Sequence, residues 1–149
     1  MRVAARPHLY DPLPDLPVLN GTQCARCGRV YFPPIGVGCE ICGAHAEDLQ
    51  PATVAATGRI HALAQVHLHH GAPETPFTIA EITLDAGPLI RAMVHPESPP
   101  LSIGARVTAR WNAVGADHAG APIVEPAFTL DQPAASAPTP AADQNGAAS

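Results

Sequence analysis

The sequence predicts a mainly β protein in which a small zinc ribbon precedes a five-stranded OB-fold barrel. All four cysteines fall in two Cys-x-x-Cys pairs separated by eleven residues. The residues that follow alternate between apolar and polar side chains in short runs, the pattern of half-buried strands. Eighteen Pro and twelve Gly indicate many turns and few long helices.

The cysteine pairs predict a structural zinc site. Cys24 and Cys27 form the first pair, and Cys39 and Cys42 form the second. Two such turns can place four thiolates in a tetrahedron around Zn²⁺, and the glycine after each pair fits a turn with positive φ. Because four thiolates leave no open position, we expect one structural zinc per chain.

Two other uses of the cysteines are less consistent with the sequence. A disulfide framework needs an oxidising compartment, but residues 1–17 contain four prolines and lack the apolar segment of a signal peptide. A thioredoxin-like motif needs a βαβ pattern, which is absent.

No apolar run approaches the roughly 18 residues of a membrane span. We therefore expect a soluble, cytoplasmic protein.

The chain divides into four segments by composition. Residues 1–20 form a Pro-rich extended arm, which lies on a partner, lies on the domain itself, or frays as a free terminus. Residues 21–50 hold the zinc ribbon, whose hairpin uses the β-prone run from Arg29 to Phe32. Residues 51–131 form the OB-fold domain, and residues 132–149 are predicted to be a disordered tail.

Period-2 alternation predicts five strands in the OB-fold domain. In the first strand, the even-numbered positions from Ile60 to Val66 share one face, and Leu63 breaks the pattern. One long strand, a hairpin and two further strands suit a small barrel. The predicted strands are Thr57–Leu68, Phe77–Leu84, Leu89–His95, Arg106–Asn112 and Ile123–Leu130.

Composition argues against nucleic-acid binding. The net charge is −5, and residues 53–131 hold four Arg against seven acidic residues. Nucleic-acid binders usually present a basic face. Trp111 shares a face with Val107 and Ala109, which indicates a packing residue more than a base-stacking platform. A single-stranded nucleic-acid module of the OB and zinc-ribbon type remains the alternative function.

Catalysis by this chain alone is not expected. The sequence has no G-x-S-x-G elbow or HExxH motif, and its thiols are assigned to metal. The run His67-Leu-His-His could hold a second metal, but a surface cluster or a partner contact is favoured.

Six motifs follow one another along residues 20–130. They are Cys24-Ala-Arg-Cys-Gly, Val30-Tyr-Phe-Pro-Pro, Cys39-Glu-Ile-Cys-Gly, Thr57-Gly-Arg-Ile-His, Pro76-Phe-Thr-Ile-Ala-Glu-Ile-Thr-Leu-Asp-Ala-Gly-Pro-Leu-Ile and Ile103-Gly-Ala-Arg-Val-Thr-Ala-Arg-Trp. In this order they resemble the acyl-CoA-associated OB-fold family with an N-terminal rubredoxin-like zinc ribbon. The sequence departs from the family pattern at Ile35, where relatives often have a basic residue, and at the Pro-rich arm, which replaces a helix.

The resemblance implies an accessory role beside a thiolase-fold catalytic subunit. Such subunits help to bind acyl-CoA, while the nucleophilic cysteine and the histidines belong to the partner. The coenzyme A thioester would then be a shared ligand. Arg suits CoA phosphates because its planar fork can bind them bidentately. The candidates are Arg59, Arg91, Arg106 and Arg110, each of which could instead be a solvated charge with a carboxylate partner.

Overall fold

The computed structural model describes residues 1–71 and 73–131, and the predicted tail at 132–149 lies outside them. These described residues form nine strands and one 3₁₀ helix, Ala46–Asp48, with no α-helix and no helix that could cross a membrane. The strands are Val3–Ala4 (β1), Val18–Cys24 (β2), Val30–Tyr31 (β3), Leu49–Ala55 (β4), Thr57–Val66 (β5), Phe77–Leu84 (β6), Leu89–Met93 (β7), Arg106–Ala116 (β8) and Pro122–Leu130 (β9).

Strands β5 to β9 form the predicted barrel. They belong to a six-stranded sheet of order β1-β9-β8-β5-β6-β7. The sheet curls until β7 reaches β9, where Val94 forms a parallel bridge with Phe128 and the His95 N–H donates to the Phe128 carbonyl at 2.7 Å. This order, closed from β7 onto β9, is that of a five-stranded OB fold, as the sequence predicts.

A β-bulge in β5 corrects the predicted alternation. Ile60 pairs with Ile82, but Ala62 pairs with Glu81, so one extra residue lies between the two pairs. After such a bulge the faces of the strand exchange. As a result Leu63, which seemed to break the pattern, packs against the core, whereas Ala64 is exposed.

The barrel core consists of the inward residues of successive strands. Ala80, Ile82 and Leu84 of β6 are buried, as are Val107 and Ala109 of β8 and Phe128 of β9. Gly58 allows β5 to approach β6 closely, because a Cβ there would overlap the backbone carbonyl of Thr83.

A second sheet, of order β3-β2-β4, carries the ribbon and is continuous with the barrel. Strands β2 and β4 pair along their length, from Val18 opposite Ala55 to Cys24 opposite Leu49. Leu19 and Val54, which face each other in this pairing, are both buried in the main core. The ribbon sheet therefore extends beyond residues 21–50, the range that the sequence predicts for the ribbon, and into the barrel core.

The N-terminal arm packs on the barrel. Strand β1 pairs in parallel with β9, with Val3 opposite Ile123. Tyr10 is only 3% exposed and belongs to the main core. Of the three arrangements open for the arm from sequence, the described residues adopt the one in which it lies on its own domain.

Candidate metal centre

The two cysteine pairs fold into two turns of the same geometry. In the first, the Cys24 N–H donates to the Arg29 carbonyl and the Gly28 N–H donates to the Cys24 carbonyl, at 2.9 and 2.8 Å. The second repeats this pattern around Cys39 and Gly43. Gly28 and Gly43 have φ of 84° and 77°, the positive values that the sequence predicts.

The four sulfurs fit a tetrahedral metal ion. They all lie within 4.8 Å of one another, the Cys24 and Cys42 sulfurs at 3.6 Å and the Cys27 and Cys39 sulfurs at 3.5 Å. A regular tetrahedron with Zn–S bonds of about 2.3 Å has edges of about 3.8 Å. Cys24 and Cys39 are buried, whereas Cys27 and Cys42 lie at the surface. The four cysteines are therefore arranged to bind one zinc ion.

Hydrogen bonds to sulfur make two of the thiols more acidic. The Tyr31 hydroxyl lies 3.1 Å from the Cys39 sulfur, and this hydrogen bond, followed by one from the Cys42 N–H, lowers the pKa of Cys39 to about 6. The pKa of Cys24 is also lowered, chiefly by a hydrogen bond from the Cys27 N–H. These donors stabilise the thiolate form, which is the form that binds metal.

The other two thiols have raised pKa values. The N–H groups of Arg29 and Ala44 favour the thiolates of Cys27 and Cys42 respectively, but loss of hydration and the neighbouring thiols outweigh them. The pKa of Cys27 rises to about 11. A cation at the centre of the cluster would reverse this repulsion and displace the protons.

Tyr31 connects the two turns, a role that sequence reasoning did not assign to it. Its hydroxyl accepts the Glu40 N–H at 3.1 Å as well as contacting Cys39. The Arg29 guanidinium lies over the Tyr31 ring at 5.3 Å and pairs with the Glu40 carboxylate at 3.5 Å. Only the position of Tyr31 in a β-prone run pointed to packing, and nothing local indicated a contact with sulfur.

The four candidate arginines lie on the outside of the barrel but do not form one patch. Arg59 and Arg106 are opposite each other on β5 and β8. Arg91 is opposite Glu81, and Arg110 is opposite Ala127. Arg106 and Arg110 are four positions apart along β8, which corresponds to about 13 Å of strand.

Two of these arginines already have carboxylate partners. Arg91 pairs with Glu81 at 2.9 Å, and Arg106 binds both carboxylate oxygens of Asp85 at 2.8 and 2.7 Å. Arg59 donates to the Gly104 carbonyl at 3.1 Å. Arg110 is exposed and has no hydrogen bond or ion pair within the described part of the chain.

Trp111 and the histidine run do not form further sites in the structure. Trp111 packs against the main core, and its Nε1–H donates to the Pro14 carbonyl at 2.8 Å. The arm therefore covers the indole. Strand β5 ends at Val66, and the His69 ring meets Phe77 edge-on at 5.4 Å. Within residues 1–71 and 73–131, only the four cysteines form a cluster suited to metal.

Comparisons with known proteins agree with this arrangement. Residues 14–48 match the family model of the ChsH2 rubredoxin-like zinc ribbon domain, a range that contains all four cysteines. The chain is also similar to a chain of a solved structure titled "Ltp2-ChsH2(DUF35) aldolase", with 27% identity and a TM-score of 0.59. That match covers 75% of this chain and 84% of the other. As its sequence predicts, the protein resembles the ChsH2-like accessory family, which carries a rubredoxin-like zinc ribbon at its N-terminus.

Proposed function

We propose that this protein is a non-catalytic, zinc-containing accessory subunit of a thiolase-type complex that acts on acyl-CoA. One observation carries the proposal: the similarity to a chain of the Ltp2-ChsH2(DUF35) aldolase covers 75% of this chain, too much to be explained by the ribbon alone. The partner would be a thiolase-fold subunit that supplies the nucleophile, in a reaction that cleaves or forms a C–C bond. Zinc-bound thiolates suit a reducing compartment such as the cytoplasm.

The zinc in this proposal has a structural role. Its four ligands leave no position for a substrate, and the thiols that could act as nucleophiles are its ligands. The metal holds the two turns together, and the ribbon sheet joins them to the barrel through β2 and β4. Zinc therefore fixes the shape of the surface that a partner would meet.

Arg59 and Arg110 are the strongest candidates for contact with CoA phosphates. Neither forms a salt bridge among the described residues, so each could bind a phosphate without breaking one, although the charge of Asp85 acts on Arg59 from a greater distance. Arg91 and Arg106 would first have to leave Glu81 and Asp85. We propose that all four can contact CoA phosphates, that Arg59 and Arg110 contribute most, and that Arg91 and Arg106, which are held in ion pairs, contribute less.

Co-expression with candidate thiolase-fold subunits, starting with any encoded beside this chain, tests the proposal. We expect a stable hetero-oligomer on size-exclusion chromatography that binds acetyl-CoA in calorimetry. Losing a hydrogen bond to a charged group costs about 1.5–3 kcal/mol, so Arg59→Gln should weaken acetyl-CoA binding by roughly tenfold or more. Arg26→Gln, an exposed change in the ribbon, is the matched control and should have no effect. A protein that stays monomeric beside every thiolase-fold subunit would contradict the proposal.

A further inference from the structure

A cavity of about 220 Å³ lies where the N-terminal arm, the ribbon and the barrel meet. The arm contributes Leu9 and Tyr10, and Phe32 reaches it from the end of the ribbon hairpin. Ala92 of β7 and Phe128 of β9 form part of its barrel side. The walls of the cavity are mostly apolar. A larger side chain at position 92 would reduce its volume.

One guanidinium group at this cavity, that of Arg6, has no carboxylate partner. Arg6 and Arg91 line the cavity together with the Glu125 carboxylate. Arg6 is exposed and has no ion pair within the described ranges, whereas Arg91 is paired with Glu81 at 2.9 Å. Arg6 is therefore the cation that can bind an anion at the mouth of this apolar cavity. Guanidinium groups bind carboxylates with paired, charge-assisted hydrogen bonds.

The size of the cavity sets the size of the ligand. An apolar cavity of about 150 Å³ accommodates benzene, so 220 Å³ has room for a chain of about eight carbons. We propose that the cavity binds a small carboxylic acid with an apolar tail. The tail lies between Tyr10, Ala92 and Phe128, and the carboxylate binds the Arg6 guanidinium. This site goes beyond the accessory role, because it needs neither a partner subunit nor coenzyme A.

Octanoate binding to the zinc-loaded full-length chain tests the site, with butyrate and octanol as comparison ligands. Trp111 is the only tryptophan, and its ring lies 5.8 Å from that of Tyr10, which lines the cavity. We expect octanoate to change the Trp111 emission saturably and to raise the melting temperature, and butyrate to bind at least tenfold more weakly. Ala92→Phe fills the cavity and should weaken octanoate at least tenfold. Ala113→Phe, an exposed change on β8, should leave binding unchanged.

Arg6→Gln removes the positive charge without filling the cavity. It therefore keeps the proposal testable if Ala92→Phe fails to fold. It should weaken octanoate about tenfold and leave octanol unaffected. The proposal is overturned if octanoate shows no saturable binding, if Ala92→Phe binds it as the wild type does, or if butyrate binds equally well. Each of these results leaves the accessory role standing, because the experiment contains no partner and no CoA.

Discussion

Asp85 is held by two side chains at the turn between β6 and β7. Its carboxylate binds the Arg106 guanidinium through both oxygens and accepts the Thr57 hydroxyl at 2.7 Å. The hydrogen bonds from Arg106, and then that from Thr57, hold the pKa of Asp85 at about 2. These contacts join the turn to the first and fourth strands of the barrel.

This depressed pKa predicts how the contribution of Asp85 to stability depends on pH. The folded pKa lies below the ordinary value of about 3.9, so the contribution is fully present above about pH 4 and is lost as the pH falls towards 2. Because the Asp85 side chain is 45% exposed, we expect the contribution to stay below about 1 kcal/mol. Urea unfolding of the wild type and Asp85→Asn at pH 5, 4, 3 and 2 measures it.

The relevant quantity is the difference in the free energy of unfolding between the wild type and Asp85→Asn, because acid also protonates the cysteines of both proteins. Arg106→Gln, alone and combined with Asp85→Asn, completes a double-mutant cycle that isolates the pair. A difference that stays constant from pH 5 to pH 2 would show that the ion pair contributes nothing.

At the scale of elements, β2 belongs to two structures. Its first residues pair with the end of β4 and place Leu19 and Val54 in the main core. Its last residue, Cys24, is one of the four cysteines that are arranged to bind a zinc ion. The two halves of one strand therefore depend on different interactions, apolar burial in one case and metal binding in the other.

Zinc removal should accordingly unfold only part of the ribbon. We expect chelation with EDTA, or Cys24→Ser, to abolish amide protection at Gly28, Cys39 and Gly43, whose hydrogen bonds form the two turns. The amides of Leu19 and Val54 should keep their protection, because their side chains are buried in the barrel. Hydrogen exchange followed by mass spectrometry or NMR measures this. Loss of protection throughout β2 and β4 would show that the metal supports the whole sheet.

The proposed complex allows a functional version of this test. If the partner is a thiolase-fold subunit, as proposed, Cys24→Ser should weaken assembly with it before it lowers the turnover of complex that has already formed. Titration of the catalytic subunit with the variant separates the two quantities. Unchanged assembly would contradict a structural role for the zinc.

Local sequence patterns were sufficient to predict these elements. They were not sufficient to predict contacts between residues that are distant in the sequence. Cysteine spacing predicts both turns because the metal imposes the geometry. Alternation predicts β5 to β9 because one face of each strand is buried. The bulge beside Ile60 was not predictable, since it is defined by pairing with β6. Nor was the Tyr31 contact with Cys39, which joins residues on different segments of the ribbon.

At the scale of the whole molecule, the N-terminal arm is packed against the barrel. Arg2 holds the arm in shape, because its guanidinium donates to the carbonyls of Pro12, Leu13 and Pro14 at 2.9, 3.1 and 2.8 Å. The same group lies 5.4 Å from the Trp111 ring. Composition could not reveal this, because the prolines exclude a helix but do not say where an extended chain will lie.

Arg2→Gln should therefore release the arm from the barrel. The change removes a cation–π contact and most of three hydrogen bonds, and we expect it to lower the free energy of unfolding by about 1–3 kcal/mol. Trp111 emission should shift to longer wavelength as water reaches the indole, because the arm covers it in the folded protein. Arg26→Gln removes an equal charge from an exposed site in the ribbon and should change neither quantity. An Arg2→Gln protein with wild-type emission and stability would mean that β1 and Tyr10 hold the arm without help from Arg2.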